Sequence, residues 1–115
     1  MQLFFPFFLT MEKVGAIYHN LGNLETATGN LEDSTDYYDQ ATDIWIKGGD
    51  TTASQLALTY LCVGRVFVLQ NKLTEARDMV ARSEALFVRV LGADRGFTAQ
   101  YVDLSPSSSS HRHEF

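Results

Sequence analysis

Laid over itself with an offset of 42 residues, the sequence places Tyr18 on Tyr60, Gly22 on Gly64, Leu31 on Leu73 and Asp36 on Asp78. Between these identities the residue classes agree. Leu21 meets Val63, Leu24 meets Val66, Asp33 meets Glu75, Ile44 meets Leu86, Trp45 meets Phe87, Lys47 meets Arg89, and Gly15 meets Ala57, which in turn meets Ala99. A fixed period of this size belongs to a stacked array, because one such unit cannot bury its apolar face alone and needs a neighbour to cover it. With 115 residues, 45% of them hydrophobic, the chain is one small domain or part of one, and two packed domains will not fit.

Each unit reads as two helices. Val14, Ile17, Tyr18, Leu21 and Leu24 recur at spacings of three and four and predict one apolar helical stripe, which Thr28-Gly29-Asn30 breaks. Leu31, Ser34, Tyr38, Ala41 and Trp45 predict a second stripe, widened by Tyr37 and Ile44, with Glu32, Asp33, Asp36, Asp39 and Asp43 mostly on the other side. Gly48-Gly49 suits a left-handed helix end, and Thr52-Ala53-Ser54-Gln55 has the form of a capping box opening the next helix. In the second unit Leu56, Tyr60, Val63 and Phe67 make the first stripe. Leu73, Ala76, Val80, Ser83, Phe87 and Val90 make the second, which closes at Gly92. Asp78 and Arg82 stand four apart, acid before base, as on an exposed helical face.

The segment Ala57 to Ala99 carries Gly64, Lys72-Leu73-Thr74-Glu75-Ala76 opening the second helix, and Val90-Leu91-Gly92-Ala93-Asp94 closing it. It resembles the tetratricopeptide repeat, and the period with its leucine-glycine-small-acid ending looks like the kinesin-light-chain variety. The resemblance covers about residues 14 to 99. It implies an all-α fold, a right-handed α-solenoid of antiparallel helix pairs, with two repeats and a partial third helix. It also implies helix-packing roles. Gly22 and Gly64 match the small residue where the two helices of a repeat come closest, and Ser34 and Ala76 match the small residue facing it. Tyr18 and Tyr60, Tyr38 and Val80, Ala41 and Ser83 match the remaining packing positions. Two departures stand out: Glu25 occupies a place where the family prefers a large aromatic, as Phe67 is, and Gly48-Gly49 replaces the usual end of the second helix.

In this family the first helices of successive repeats line a concave groove that holds an extended peptide or a partner helix. By the match, the groove takes His19, Asn20, Asn23 and Thr26 from the first repeat and Leu58, Leu61, Cys62, Arg65 and Val68 from the second. Asparagine amides can serve the backbone of an extended peptide, Arg65 can take a carboxylate, and the leucines offer an apolar seat. The alternative is that Asn20 and Asn23 simply face water and Arg65 pairs with a neighbouring acid. The family's clamp for C-terminal carboxylates uses groove lysines, and with the first helix opening at Val14 neither first helix contains one. The implied function is a noncatalytic protein-protein interaction module, part of a larger signalling or scaffold protein. The alternative is a structural spacer or self-association unit with no ligand of its own.

A net charge of −5 leaves no surplus of Lys and Arg to neutralise phosphates, so nucleic acid is not an expected partner. One cysteine excludes a disulfide scaffold, and with 3 His it excludes the common structural zinc sites. Cys62, among Leu61, Val63 and Val66, reads as a small buried hydrophobe. There is no glycine-rich phosphate loop and no nucleophile elbow, so no catalytic residue, metal or cofactor is expected. Leu3 to Leu9 is apolar but far short of the ~20 residues that cross a membrane, and it lacks the basic start and cleavage site of a secretory signal. A cytoplasmic location without membrane association follows.

The expected organisation is an apolar segment over 1–13, a remnant of a preceding repeat, then two repeats over 14–95, divided as 14–56 and 57–95. A third or capping helix starts over 96–104, and a disordered Ser-rich tail runs over 105–115, where His111 and His113 lie. Residues 14 to 56 hold 7 acids and 1 base, a net −6, whereas 57 to 98 hold 6 bases and 4 acids, a net +2. Such a gradient suits head-to-tail stacking of like units, a homo-oligomer or neighbouring repeats; the plainer account is a solvated acidic helix face.

Overall fold

The computed structural model describes residues 4–92. They form four α-helices: α1 Phe4–Ala27, α2 Leu31–Lys47, α3 Ala53–Leu69 and α4 Leu73–Val90, with a single 3₁₀ turn at Gly49–Thr52 between α2 and α3. No strand occurs among the described residues. α1 packs along α2 and α3 along α4, while α2 also packs on α3, and α1 scarcely touches α3. The result is an all-α helical repeat.

The two pairs share their turn chemistry. Gly29 takes φ 87° and the Asn30 N–H donates to the Glu25 carbonyl at 2.8 Å. Forty-two residues on, Asn71 takes φ 61° and the Lys72 N–H donates to the Phe67 carbonyl at 2.8 Å. Both are left-handed helix ends, a conformation in which Gly costs nothing and Asn little. The side chains then close the same positions by different means. Asn30 Nδ2 donates to Glu25 Oε1 at 2.7 Å, whereas Lys72 Nζ lies over the Phe67 ring, 5.9 Å from its centre. The acid at position 25 is therefore matched to its partner at 30, which accounts for the departure from an aromatic there.

Closest approach differs between the pairs. A Cβ on Gly22 would lie 2.5 Å from the Tyr38 ring, so α1 and α2 touch there with no room for a methyl. The Thr26 and Ser34 hydroxyls lie 2.8 and 3.0 Å from the Gly22 carbonyl and in contact with each other, three contacts sharing two protons. At Gly64 the equivalent Cβ would sit 3.5 Å from Val80 and from the Ala76 carbonyl, in ordinary contact. The second pair places its hydroxyl bridge further along, where Ser83 donates to the Ala57 carbonyl at 2.8 Å.

The core lies between the pairs. Tyr38 clusters with Val63 and Val66, and Ala41 and Trp45 cluster with Leu56. Ser34, Tyr38, Ala41 and Trp45 are buried on α2, as their spacing predicts, and Ala76, Ser83 and Phe87 on α4. Val80 is half buried, and Leu73 and Val90 are exposed.

Several expectations change. The first helix begins at Phe4, not at Val14, so residues 4–13 continue α1 instead of finishing an earlier second helix. Pro6 stands in the first turn, where backbone N–H groups have no intrahelical partner to lose. The longer α1 takes in Lys13, which is exposed and two turns before Asn20 on the same side. Gly15, Gly22 and Thr26 of α1 meet α2, together with Tyr18, His19 and Asn23, while Ile17 and Leu24 from the predicted stripe are exposed. Conversely, Thr59 and Val66 are fully buried on α3 although neither stood in its predicted stripe. Tyr18 and Tyr60 are half buried, and Tyr18 stacks on Tyr37 with ring centres 6.3 Å apart. The capping box at Thr52 does not form, because the Thr52 hydroxyl donates to the Trp45 carbonyl, tying the turn back to α2. Of the two glycines, Gly49 alone is left-handed, at φ 62°. The division between 56 and 57 falls inside α3, and the pairs are separated by the turn at 48–52. The third helix expected over 96–104 and the tail over 105–115 lie outside the described residues.

Candidate partner-binding face

On α3, Leu58, Cys62, Arg65 and Leu69 follow at spacings of four, three and four and so share one side of the helix. Their equivalents 42 residues earlier on α1 are Ala16, Asn20, Asn23 and Ala27. Leu58, Arg65, Val68 and Leu69 are exposed, with Leu61 and Cys62 half buried. On α1 Ala16, Asn20 and Ala27 are exposed and Asn23 is half buried. This stripe presents apolar seats beside one guanidinium and one free amide. Leu69 was missed among the predicted contacts, although its spacing from Leu58 and Arg65 announces it. The residues Gly49–Leu69 reach a mean hydropathy of 1.4 over the length of a membrane-crossing helix. In this fold that apolarity divides between the seams with α2 and α4 and the exposed stripe.

Three of the expected groove residues are drawn into internal contacts. Thr26 is buried against Ser34 and the Gly22 carbonyl and does not face the groove. Asn23 Oδ1 accepts the Tyr38 hydroxyl, a long-range bond from α2 to α1. His19 belongs to the junction between the pairs. Its Nδ1 lies 2.9 Å from Thr59 Oγ1, its Nε2 3.9 Å from Cys62 Sγ, and its ring stands edge-on to Tyr38 at 5.7 Å.

Thr59 is the centre of that junction. Its hydroxyl donates to the Gln55 carbonyl at 2.9 Å and accepts the Trp45 indole N–H at 2.9 Å. With its single proton committed to Gln55, the hydroxyl can only accept from His19, so the imidazole carries its proton on Nδ1 and offers Nε2 to the Cys62 thiol. Burial lowers the His19 pKa and keeps the ring neutral. Burial also pushes the Cys62 thiol up, against smaller opposing effects of the Tyr38 hydroxyl and the Arg65 charge, so the sulfur is a thiol and a poor nucleophile. Burial raises Tyr38 likewise.

The sign of the pH effect follows from His19. Its folded pKa lies below the ordinary 6.5, so below that pH the unfolded chain binds more protons than the folded one. Stability is therefore full above pH 6.5 and falls as the pH drops through that value toward the folded pKa. Between pH 7.5 and 5.5, roughly a unit either side of the ordinary value, the thermal midpoint of the wild-type chain falls further than that of His19→Gln. Equal falls in thermal melts would show that His19 carries none of it.

On the outer side of α2, Asp36, Asp39 and Asp43 are exposed at helical spacing. Partial burial, then the neighbouring carboxylates of Asp36 and Asp43, raise the Asp39 pKa. Asp78 and Arg82 pair at 3.2 Å on α4, both well exposed. Among the described residues no three His, Cys, Asp or Glu side chains converge to hold a metal.

Paired helices with left-handed ends at the same register, a glycine at the closest approach and a core between the pairs define one repeat architecture. The family description "Tetratricopeptide repeat" matches residues 13–87. The chain belongs to the tetratricopeptide-repeat family. Comparisons with curated proteins and with solved structures return no match. The matched span covers the last half of α1 and nearly all of α4, so both tetratricopeptide helix pairs fall within it. Tetratricopeptide repeats are in general interaction modules for other proteins, and this chain shares that general character.

Proposed function

We propose that the stripe formed by Leu58, Leu61, Arg65, Val68 and Leu69 of α3, continued by Asn20 of α1, is a concave groove that binds an extended peptide or a partner helix without catalysis. The observation that carries this reading is the exposure of Leu58 and Leu69 on one side of a helix with Arg65 between them. Exposed leucines gathered around a cation are costly to leave in water and are suited to a ligand that brings apolar side chains and a carboxylate. Lys13, on the same side of α1 as Asn20, extends the cationic border. The 42-residue period and the ending at Gly92 support the kinesin-light-chain variety of the repeat, and with it a place in a larger scaffold. The acidic balance supports a protein partner over nucleic acid, and a cytoplasmic setting without membrane association is part of the same reading.

A second reading, a spacer that binds nothing itself, draws on a specific observation: His19, Asn23 and Thr26 are spent on contacts within the fold. Selection of displayed random peptides against the full chain separates the two. The groove reading expects enrichment of peptides combining an acidic with an apolar residue, and binding weakened about tenfold or more by Arg65→Glu, the order expected of one charge-assisted contact. Enrichment that survives Arg65→Glu together with Leu58→Asp, or no enrichment at all, rejects the groove.

A further inference from the structure

On α3, Leu56, Thr59, Val63 and Val66 follow at spacings of three, four and three, and all are buried, Thr59 and Val66 to 0% exposure. What buries them is α2 of the preceding pair. Val63 and Val66 cluster with Tyr38, Leu56 with Ala41 and Trp45, and Thr59 holds the Trp45 indole. Forty-two residues earlier stand Val14, Ile17, Leu21 and Leu24, all apolar. Val14 and Leu21 are half buried, while Ile17 and Leu24 are 58% and 57% exposed. α1 thus carries the receiving stripe of the inter-pair interface, more apolar than the copy in use, open to solvent.

The helix that fits this stripe is one that presents the face of α2, and the chain contains a second such helix. α4 places Leu73, Val80, Ser83 and Phe87 where α2 places Leu31, Tyr38, Ala41 and Trp45. Leu73 is 57% exposed and Val80 half buried, so part of this presenting face is also open. We propose that a second copy of this chain docks its α4 on the Val14–Ile17–Leu21–Leu24 stripe, continuing the 42-residue stack from one molecule into the next. The 42-residue register selects this head-to-tail arrangement: α4 repeats α2, the helix that covers the equivalent stripe of α3, whereas a second α1 offers only another receiving stripe. The proposal uses none of the residues assigned to the peptide groove and stands or falls separately from it.

A head-to-tail contact is heterologous, so each molecule offers one receiving and one presenting face, and blocking either leaves the other intact. Sedimentation of the full chain over the micromolar range, at low salt, reads this directly. The wild-type mass rises with concentration to roughly twice the single-chain value and beyond. Ile17→Glu with Leu24→Glu blocks the receiving face, Leu73→Glu blocks the presenting face, and each variant alone stays at the mass of one chain. Mixed in equal amounts, the two variants form a two-chain species and nothing longer, because one open face of each kind remains. The altered side chains are exposed, and unchanged far-ultraviolet circular dichroism checks that the helices persist. A wild-type chain that stays at one-chain mass overturns the proposal, whether the stripe is covered by residues 93–115 or by a different protein. So does a mixture that remains single chains, or a Leu73→Glu variant that still pairs, which would mark a symmetric contact instead.

Discussion

Replacing Gly22 with leucine is expected to unfold most of the molecule, and replacing Gly64 with alanine is expected to leave it as stable or more so. The two glycines hold the same position in successive repeats, yet their surroundings differ. At Gly22 the first added carbon would stand 2.5 Å from the Tyr38 ring, and that ring has no free path away. Tyr38 is fully buried, packed against Val63 and Val66, and its hydroxyl is tied to Asn23. Even alanine at 22 forces an overpacked contact costing about 1–3 kcal/mol, of which its better helix propensity returns at most about 1 kcal/mol. Leucine must push α2 off α1 and break the Thr26, Ser34 and Gly22 contacts, and the cost rises to a large share of the ~5–15 kcal/mol that a domain has available. At Gly64 the same carbon meets Val80 and the Ala76 carbonyl at 3.5 Å, and removing a glycine from a helix interior gains about 0.5–1 kcal/mol. Urea unfolding of Gly22→Ala, Gly22→Leu and Gly64→Ala checks the order. Equal effects of alanine at the two sites would mean that the two helices approach equally closely within each pair.

Trp45→Ala is expected to cost about 3–5 kcal/mol, the range for emptying a large buried aromatic site. Trp45 is 3% exposed and lies between the pairs, with Ala41 and Leu56 in its cluster and Tyr18, Ile44, Tyr60 and Leu86 against it. Its loss also strips a donor from Thr59. Thr59→Val isolates that polar part, since it keeps the shape and removes the hydroxyl. The buried indole N–H and the His19 Nδ1–H are then left without their acceptor, at about 1–3 kcal/mol. Because both changes act on one contact, the double variant loses less than the two single losses together. A thermodynamic cycle in denaturant measures this, and strict additivity would show that the hydroxyl and the indole do not depend on each other.

The paired helices were legible because period and spacing record them twice. α2 reads cleanly, since its acids fall outward and its apolar residues inward, and Ser34, Tyr38, Ala41 and Trp45 are buried as that pattern requires. α1 reads less well for a physical reason. Helices in close contact meet through small residues, so the closest points against α2 are Gly15, Gly22 and Thr26, and an apolar count finds only Tyr18 on that side. The conspicuous line Val14, Ile17, Leu21 and Leu24 belongs to a different surface. Thr59 was hidden because a threonine in an apolar run gives no sign of whether its hydroxyl faces water or a buried indole. Of the residues expected in a groove, Leu58, Arg65 and Val68 are exposed, whereas the internal contacts of His19, Asn23 and Thr26 were hidden because a polar side chain on a helix reads as solvent-facing unless its partner is known. The capping box failed for a similar reason, the Thr52 side chain being turned to donate to the Trp45 carbonyl instead of accepting from a backbone N–H of its own helix.

Placing the large buried side chains across the α2–α3 boundary has a consequence for how the protein meets proteases. Neither hairpin of helices closes its interior alone, for Tyr38 and Trp45, which lie against Gly22 and Gly15 of their own hairpin, find the rest of their cover in the opposite half. A cut in the exposed Gly49-Asp50-Thr51 stretch would therefore release no long-lived fragment: the halves stay clasped while the whole is intact and are digested together once it opens.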